Sequence, residues 1–268
     1  MKIKINSKVM ENISTNEYIY LIMEHTGGGQ LMDLILQNDG MQDEEAHRLF
    51  RQIVHAMQYF HQKGIVHLDL KPENMGVDAG SNITFIDFDL STRFTAGKKL
   101  KKFFGTVLHV APEIIQEKEY KGPQADIWSL GLLLYAMLTG KCSFEASSNR
   151  EVKKLIKQGT YDIPPHVSEG PQSSLCEVLT VDPMQRPTID YVMKHPWLTQ
   201  GEETSPSPPP EALLKLLDPA IFENHDQHGL RPLKYLGIHG NVGNSITEWQ
   251  HTSSLSAREP RRSPAHSR

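Results

Sequence analysis

Residues 67–74 read His67-Leu68-Asp69-Leu70-Lys71-Pro72-Glu73-Asn74, and Asp87-Phe88-Asp89 and then Ala111-Pro112-Glu113 follow in order. The first stretch sets an Asp, a Lys two residues on and an Asn five residues on within one short loop. Such a loop can turn a carboxylate, a cation and an amide toward one cavity. A packed core has no use for this set, because buried polar groups cost free energy unless each is paired. Clustered polar groups of this kind are read as a site. Ile83-Thr84-Phe85-Ile86, a short β-favouring run, then delivers Asp87 as a further acid.

Working outward, Ala46, Leu49, Phe50, Ile53, Val54, Met57 and Phe60 recur at three- and four-residue spacing and predict an amphipathic helix from about Asp43. His61-Gln62-Lys63-Gly64 closes it, with Gly64 suited to a left-handed position. Ile65-Val66-His67 is a short strand before the polar loop. Leu31 to Leu36 starts a helix, and Lys2–Met10 and Glu17–Met23 read as two strands of a hairpin. After Pro112 the pattern is helical to Trp197. A short helical turn is expected at Glu113–Gln116, a central buried helix at Ala125–Thr139, and shorter helices at Arg150–Lys157, Ser173–Leu179 and Thr188–Lys194. Asp182-Pro183 is a helix-stopping turn. Ser205-Pro206-Ser207-Pro208-Pro209-Pro210 is a linker, and the Ser/Arg/Pro-rich end is expected to be disordered.

With 38% hydrophobic and 22% charged residues in 268, the chain reads as one soluble globular domain with a tail. A formal charge of -4 argues against a nucleic-acid binder. The start lacks the apolar core of a signal peptide. Leu130–Leu138 is far too short to span a bilayer, so no membrane association and a cytoplasmic location are expected. Cys142 and Cys176 form neither ligand cluster nor disulfide framework, and buried reduced thiols are expected.

The ordered set His67–Asn74, Asp87–Asp89 and Ala111–Glu113, with Asp126-Ile127-Trp128-Ser129-Leu130-Gly131 on the buried helix, resembles the protein-kinase family and its H-R-D-L-K-x-x-N, D-F-G and A-P-E signatures. Ser91-Thr92-Arg93-Phe94, Tyr161-Asp162-Ile163-Pro164 and His195-Pro196-Trp197 resemble the AMP-activated and microtubule-affinity-regulating group, with sperm motility kinases as nearer relatives. The resemblance implies an α+β, protein-kinase-like fold. It would be mostly the α-helical C-terminal lobe (23–197), with residues 1–22 as a remnant of the β-rich N-terminal lobe. Residues 198–210 would be linker. Residues 211–237 resemble a decayed ubiquitin-associated domain on Asp218-Pro219-Ala220-Ile221, and 238–268 would be a disordered tail. By the same resemblance ATP and Mg²⁺ are the cofactors. Asp69 is the base, Lys71 the phosphate-side cation, and Thr106 braces both. Asn74 and Asp87 are the metal ligands, and Glu24 and Thr26, just after the gatekeeper position Met23, join Lys71, Asn74 and Asp87 as nucleotide-binding residues. Arg186 sits where the family keeps an ion-pair partner for Glu113.

The pattern is broken at several places. The residues before Met23 contain no G-x-G-x-x-G and no lysine in a V-A-I-K-like strand. Leu68 replaces the Arg of H-R-D, and Lys102 stands where related kinases carry a phosphorylatable Thr, so a phosphate–arginine switch has lost both ends. Asp89 replaces the Gly of D-F-G, where the backbone is expected to need freedom, and Gly76 replaces a Leu that forms the adenine floor. Phosphotransfer rests on positioning and charge stabilisation. These changes imply a serine/threonine kinase by ancestry with weak or absent ATP binding and turnover. The alternative is a pseudokinase module that competes for protein substrates or regulators of an intact relative, through the face around Thr106 and Val110. A third reading is a fragment with no function of its own.

Plainer roles fit the flanking residues. His67 is a core histidine that holds the loop, and Asp126 caps loop backbone donors. Lys98, Lys99, Lys101 and Lys102 form a solvated basic loop rather than a contact for an acidic partner. Gly27-Gly28-Gly29 is a hinge turn, lacking the spacing of a phosphate cradle.

Overall fold

The seven apolar residues of the long stripe are all buried on α2 (Asp43–Gln62), and α4 (Gly122–Thr139) is buried nearly all round as the central helix of the core. The computed structural model in which these are seen describes residues 9–14, 19–23, 27–101, 107–201, 233–237 and 247–248. Pro123 opens α4, where its missing N–H costs nothing. Gly140, with φ 68°, closes it. Around the two long helices lie α1 (Leu31–Gln37), α3 (Pro112–Ile115), α5 (Asn149–Gln158), α6 (Glu169–Val178), α7 (Ile189–Val192) and α8 (Pro196–Thr199). Gly131 lets α4 approach α6 closely: a Cβ there would lie 2.6 Å from Leu179 Cδ2. Trp128 stacks on Phe144 with ring centres 5.9 Å apart.

One corner of the helical body is cross-linked by Asp43. Its Oδ1 accepts the indole N–H of Trp197 at 2.9 Å, and its other oxygen accepts the Ser168 hydroxyl. His47 meets the Trp197 ring edge-on at 5.3 Å.

The expected hairpin is present among the described residues, and its first strand runs past Met10. β1 is Val9–Ser14 and β2 is Ile19–Met23, antiparallel, with Asn12 opposite Leu21 and Ser14 opposite Ile19. Residues 11–14, which fall between the two expected strands, are therefore strand, because pairing along the hairpin outweighs their weak local preference. Leu233–Gly237, within the stretch that resembles a ubiquitin-associated domain, is β7 and pairs parallel to β2. Thr247–Glu248, within the expected disordered tail, is β8 and pairs antiparallel to β7. A hairpin leaves one edge of β2 with unused donors and acceptors, which a third strand satisfies. Leu198 and Thr199, expected to be linker, belong to α8, and Leu198 is buried; residues 202–210 and the remainder of both stretches lie outside the described residues.

The polar loop is framed by two small ribbons. β3 (Ile65–Val66) pairs with β6 (Thr92–Arg93), and β4 (Met75–Val77) pairs with β5 (Ile83–Phe85). Buried Gln52 fastens α2 to the second ribbon, accepting from Ile83 N–H at 3.0 Å and donating to Ser81 C=O at 3.1 Å. Gly27-Gly28-Gly29 makes the expected turn and packs on β4, where a Cβ on Gly28 would lie 2.2 Å from the Val77 carbonyl oxygen. Cys142 and Cys176 are free and exposed, contrary to expectation: Cys142 lies beyond the end of α4, and Cys176 faces outward next to buried Leu175 on α6. No helix among the described residues is long and apolar enough to cross a membrane.

Candidate functional site

β3 leads straight into the loop, and Asp126 on α4 fixes the loop's first residues. Its buried carboxylate accepts the backbone N–H of His67 at 3.0 Å and of Leu68 at 2.8 Å, and lies 2.8 Å from His61 Nε2 at the end of α2. The capping role read for Asp126 is thus seen directly. Leu68 has φ 64°, a left-handed conformation that costs a non-glycine residue about 1–2 kcal/mol. The Asp126 anchor and burial of the leucine side chain to 6% exposure hold it there.

His67 packs against Phe85 and Phe88 at ring distances of 5.6 and 5.2 Å. Its Nδ1 accepts the Asp69 N–H at 3.3 Å, so the ring proton sits on Nε2. Burial holds this imidazole below its ordinary 6.5, against the raising pull of Asp126, Asp87 and Asp69. A neutral, packed His67 that accepts from the backbone is a loop holder rather than a proton carrier.

Beyond Asp69, a 3-10 turn over Pro72–Asn74 folds the loop back. The Asn74 amide donates to the Asp69 carbonyl at 2.9 Å and to Asp69 Oδ2 at 2.8 Å, and Lys71 Nζ donates to the same Oδ2 at 2.7 Å. Asp69, Lys71 and Asn74 therefore form one hydrogen-bonded cluster. Ile86 N–H donates to the Asn74 carbonyl at 3.0 Å, which sets Asn74 and Asp87 at the same end of the β4–β5 ribbon. Asp87 Oδ1 accepts the Asp89 N–H at 2.9 Å.

Asp89 departs from expectation. It is not among the described residues with positive φ, so its backbone does not use glycine-like freedom. Its side chain is exposed and its N–H orients Asp87. Thr106, Glu24 and Thr26, together with Lys102, lie outside the described residues.

Two further polar contacts shape the site and were not read from the sequence. His61 joins Asp126 across the core, and the Ser129 hydroxyl donates to the His109 carbonyl at 3.0 Å. Burial lowers the His109 imidazole, opposed by Glu73 and Asp69 and assisted by Lys71. Neither pair has a local signal, since the partners meet only in the folded chain.

The expected Glu113–Arg186 pair is bidentate at 3.0 and 3.1 Å. Arg186 also donates to the carbonyls of Thr180, Gln124 and Val181 at 2.9, 2.5 and 3.2 Å, so all five of its N–H groups are used. The guanidinium lies over Trp128 at 5.2 Å.

Among the described residues no group of three or more His, Cys, Asp or Glu is placed to hold a metal. Asp87 with the amide oxygen of Asn74 is a smaller, all-oxygen donor set. It suits a hard cation such as Mg²⁺, which commonly takes one or two protein oxygens and completes its shell with water and phosphate.

Comparison with known proteins gives one consistent result. The protein kinase domain family matches residues 5–198. Sperm motility kinases 3A and 3B of Mus musculus are each 41% identical over 215 residues, covering 80% of this chain and 43% of the relative. Sperm motility kinase 2B of the same species is 39% identical over 215 residues, covering 80% of this chain and 44% of its own length. The chain thus spans less than half the length of these curated relatives.

Proposed function

The chain belongs to the protein kinase family, and from that premise we propose that its polar loop is the lower half of a site for moving the γ-phosphate of ATP to a serine or threonine hydroxyl on a protein, with weak or absent turnover. The Asp69–Lys71–Asn74 cluster carries the reading. Asp69 Oδ2, steadied by two donors, is the group to orient a hydroxyl and take its proton. The Lys71 ammonium sits beside that oxygen, where negative charge is handed over. Asn74 and Asp87 would hold Mg²⁺, which supplies charge neutralisation at the phosphates.

Weak turnover is supported by the substitutions around this cluster. Asp89 adds a negative charge beside Asp87, and apolar Leu68 takes the place of a cation. Removing one transition-state donor commonly costs about 10²–10³ in rate. Within the family, the segments at Ser91–Phe94 and Tyr161–Pro164 support a place beside the AMP-activated and microtubule-affinity-regulating group. A cytoplasmic setting and a protein partner belong to the same proposal.

A second reading is favoured by one observation: the Glu113–Arg186 pair and buried Val110 keep the surface after the loop built, whatever the chemistry does. On that reading the chain is a pseudokinase that binds substrates or regulators of an intact relative. Calorimetry with Mg²⁺-ATP, with Asp87→Ala as control, and radiolabelled phosphate transfer, with Asp69→Asn as blank, test the proposal. Binding weaker than micromolar and transfer no greater than the blank are expected. Micromolar binding abolished by Asp87→Ala, or transfer clearly above the blank, would show an active enzyme and refute weak turnover.

A further inference from the structure

The segment that follows Asp87 is fastened to the helical body at two places, and neither fastening uses a phosphate. Upstream, Thr92 and Arg93 pair with Val66 and Ile65. Phe94 N–H donates to the Gly64 carbonyl at 2.8 Å, and the Ser91 hydroxyl donates to the His67 carbonyl at 3.3 Å. Downstream, Leu100 and Tyr120 exchange both backbone hydrogen bonds, at 2.8 and 2.9 Å. Between them Thr95–Lys99 is an exposed loop, turned by the Lys98 N–H bond to the Thr95 carbonyl at 3.0 Å and by Gly97 with φ 83°.

The two fastenings converge on one strand. Val66, which pairs with Thr92, also packs at Gly122: a Cβ there would lie 2.8 Å from Val66 Cγ1 and 3.2 Å from Leu100 Cδ1. Leu100 is therefore seated in a notch that exists because residue 122 has no side chain. At the solvent edge Lys101 Nζ lies 2.7 Å from Glu119 Oε1. This contact raises the lysine and lowers the glutamate, so both directions agree on a charged pair. A phosphate switch puts an anion on the moving segment and a cation on the body. Here the cation, Lys101, is on the segment, and the anion, Glu119, is on the body.

We propose that residues 91–101 form a strap held by the chain's own bridge at Leu100–Tyr120, so that the segment following Asp87 keeps its seat without phosphorylation. This deepens the functional reading above and rests on it for its consequence, a site whose flanking segment is ordered constitutively. Seating itself is measured without nucleotide, so a failure to bind Mg²⁺-ATP leaves the result standing.

Hydrogen–deuterium exchange on the full chain, before and after phosphatase treatment, tests it. The Leu100 and Tyr120 amides are expected to exchange about ten-fold or more slowly than those of residues 96–98, the order expected from a closed local hydrogen bond. Phosphatase should change nothing. Leu100→Pro removes one donor, and the Tyr120 amide should then exchange at the loop's rate while α4 amides stay slow. If α4 also speeds up, that variant has lost the fold. Lys101→Glu, expected to speed the same two amides, and its combination with Glu119→Lys, expected to restore them, then give the reading. Leu100 and Tyr120 exchanging as fast as residues 96–98, acceleration by phosphatase, or no response to Lys101→Glu would overturn the proposal.

Discussion

Asp126→Ala should be the most damaging single substitution in the loop's support. The carboxylate accepts three contacts, two of them from the backbone N–H groups of His67 and Leu68. Alanine leaves those two donors buried without an acceptor, at about 1–3 kcal/mol each. It also removes the anchor that holds Leu68 at positive φ. Part of the loss returns when the leucine relaxes, so the net cost is about 3–4 kcal/mol, a large share of the ~5–15 kcal/mol that stabilises a typical domain. With a urea slope of about 2–3 kcal/mol/M, the unfolding midpoint followed by tryptophan fluorescence should fall by roughly 1–2 M. His61→Ala removes one contact to the same carboxylate, and in combination with Asp126→Ala the losses should fall short of additive by about 0.5–2 kcal/mol. A midpoint drop under about 0.3 M, or strict additivity, would refute the anchoring role.

Acidification should destabilise the chain through His67 and His109. Both are held below 6.5 by burial, so the unfolded chain takes up protons that the folded chain refuses. Their contribution is complete above pH 6.5 and falls as the pH drops below it, and the urea midpoint measured between pH 7.5 and 5 should show this, with a shallower decline in His67→Gln. Arg186→Lys keeps the charge but gives up the fork and several of five donors, and should lower stability by about 2–4 kcal/mol by the same denaturation assay. Gly131→Ala forces a methyl to 2.6 Å from Leu179 Cδ2, and should cost about 1–3 kcal/mol, read as a lower melting temperature. An unchanged melt would mean that α6 yields freely.

What the sequence revealed depended on how local the signal was. The α2 stripe spans several turns, and every one of its seven residues is buried. Asp69, Lys71 and Asn74 fall within six positions, and one tight turn suffices to bring them together. β4 and β6, at three and two residues, are too short to show a period and were missed. α6 starts at Glu169, ahead of the expected Ser173, and so takes in Gly170-Pro171, two residues of low helix propensity. Proline is tolerated in a first turn, and Gly170 is needed there: a Cβ would lie 2.7 Å from Trp197 Cδ1. His61 and Asp126 are 65 positions apart, and only the packing of α2 on α4 makes them partners. For Asp89 the motif comparison predicted a backbone constraint, and the structure shows an ordinary conformation at an exposed position.

Asp43 closes the corner where α2 begins and α8 ends, holding Trp197 by its indole N–H and Ser168 by its hydroxyl. Residues 196–201 are therefore anchored beside the root of α2, and the two ends of the helical body are tied to each other at one carboxylate. Trp197 sits at this tie as a natural optical reporter: loosening of the anchorage should redden its emission before the central helix gives way.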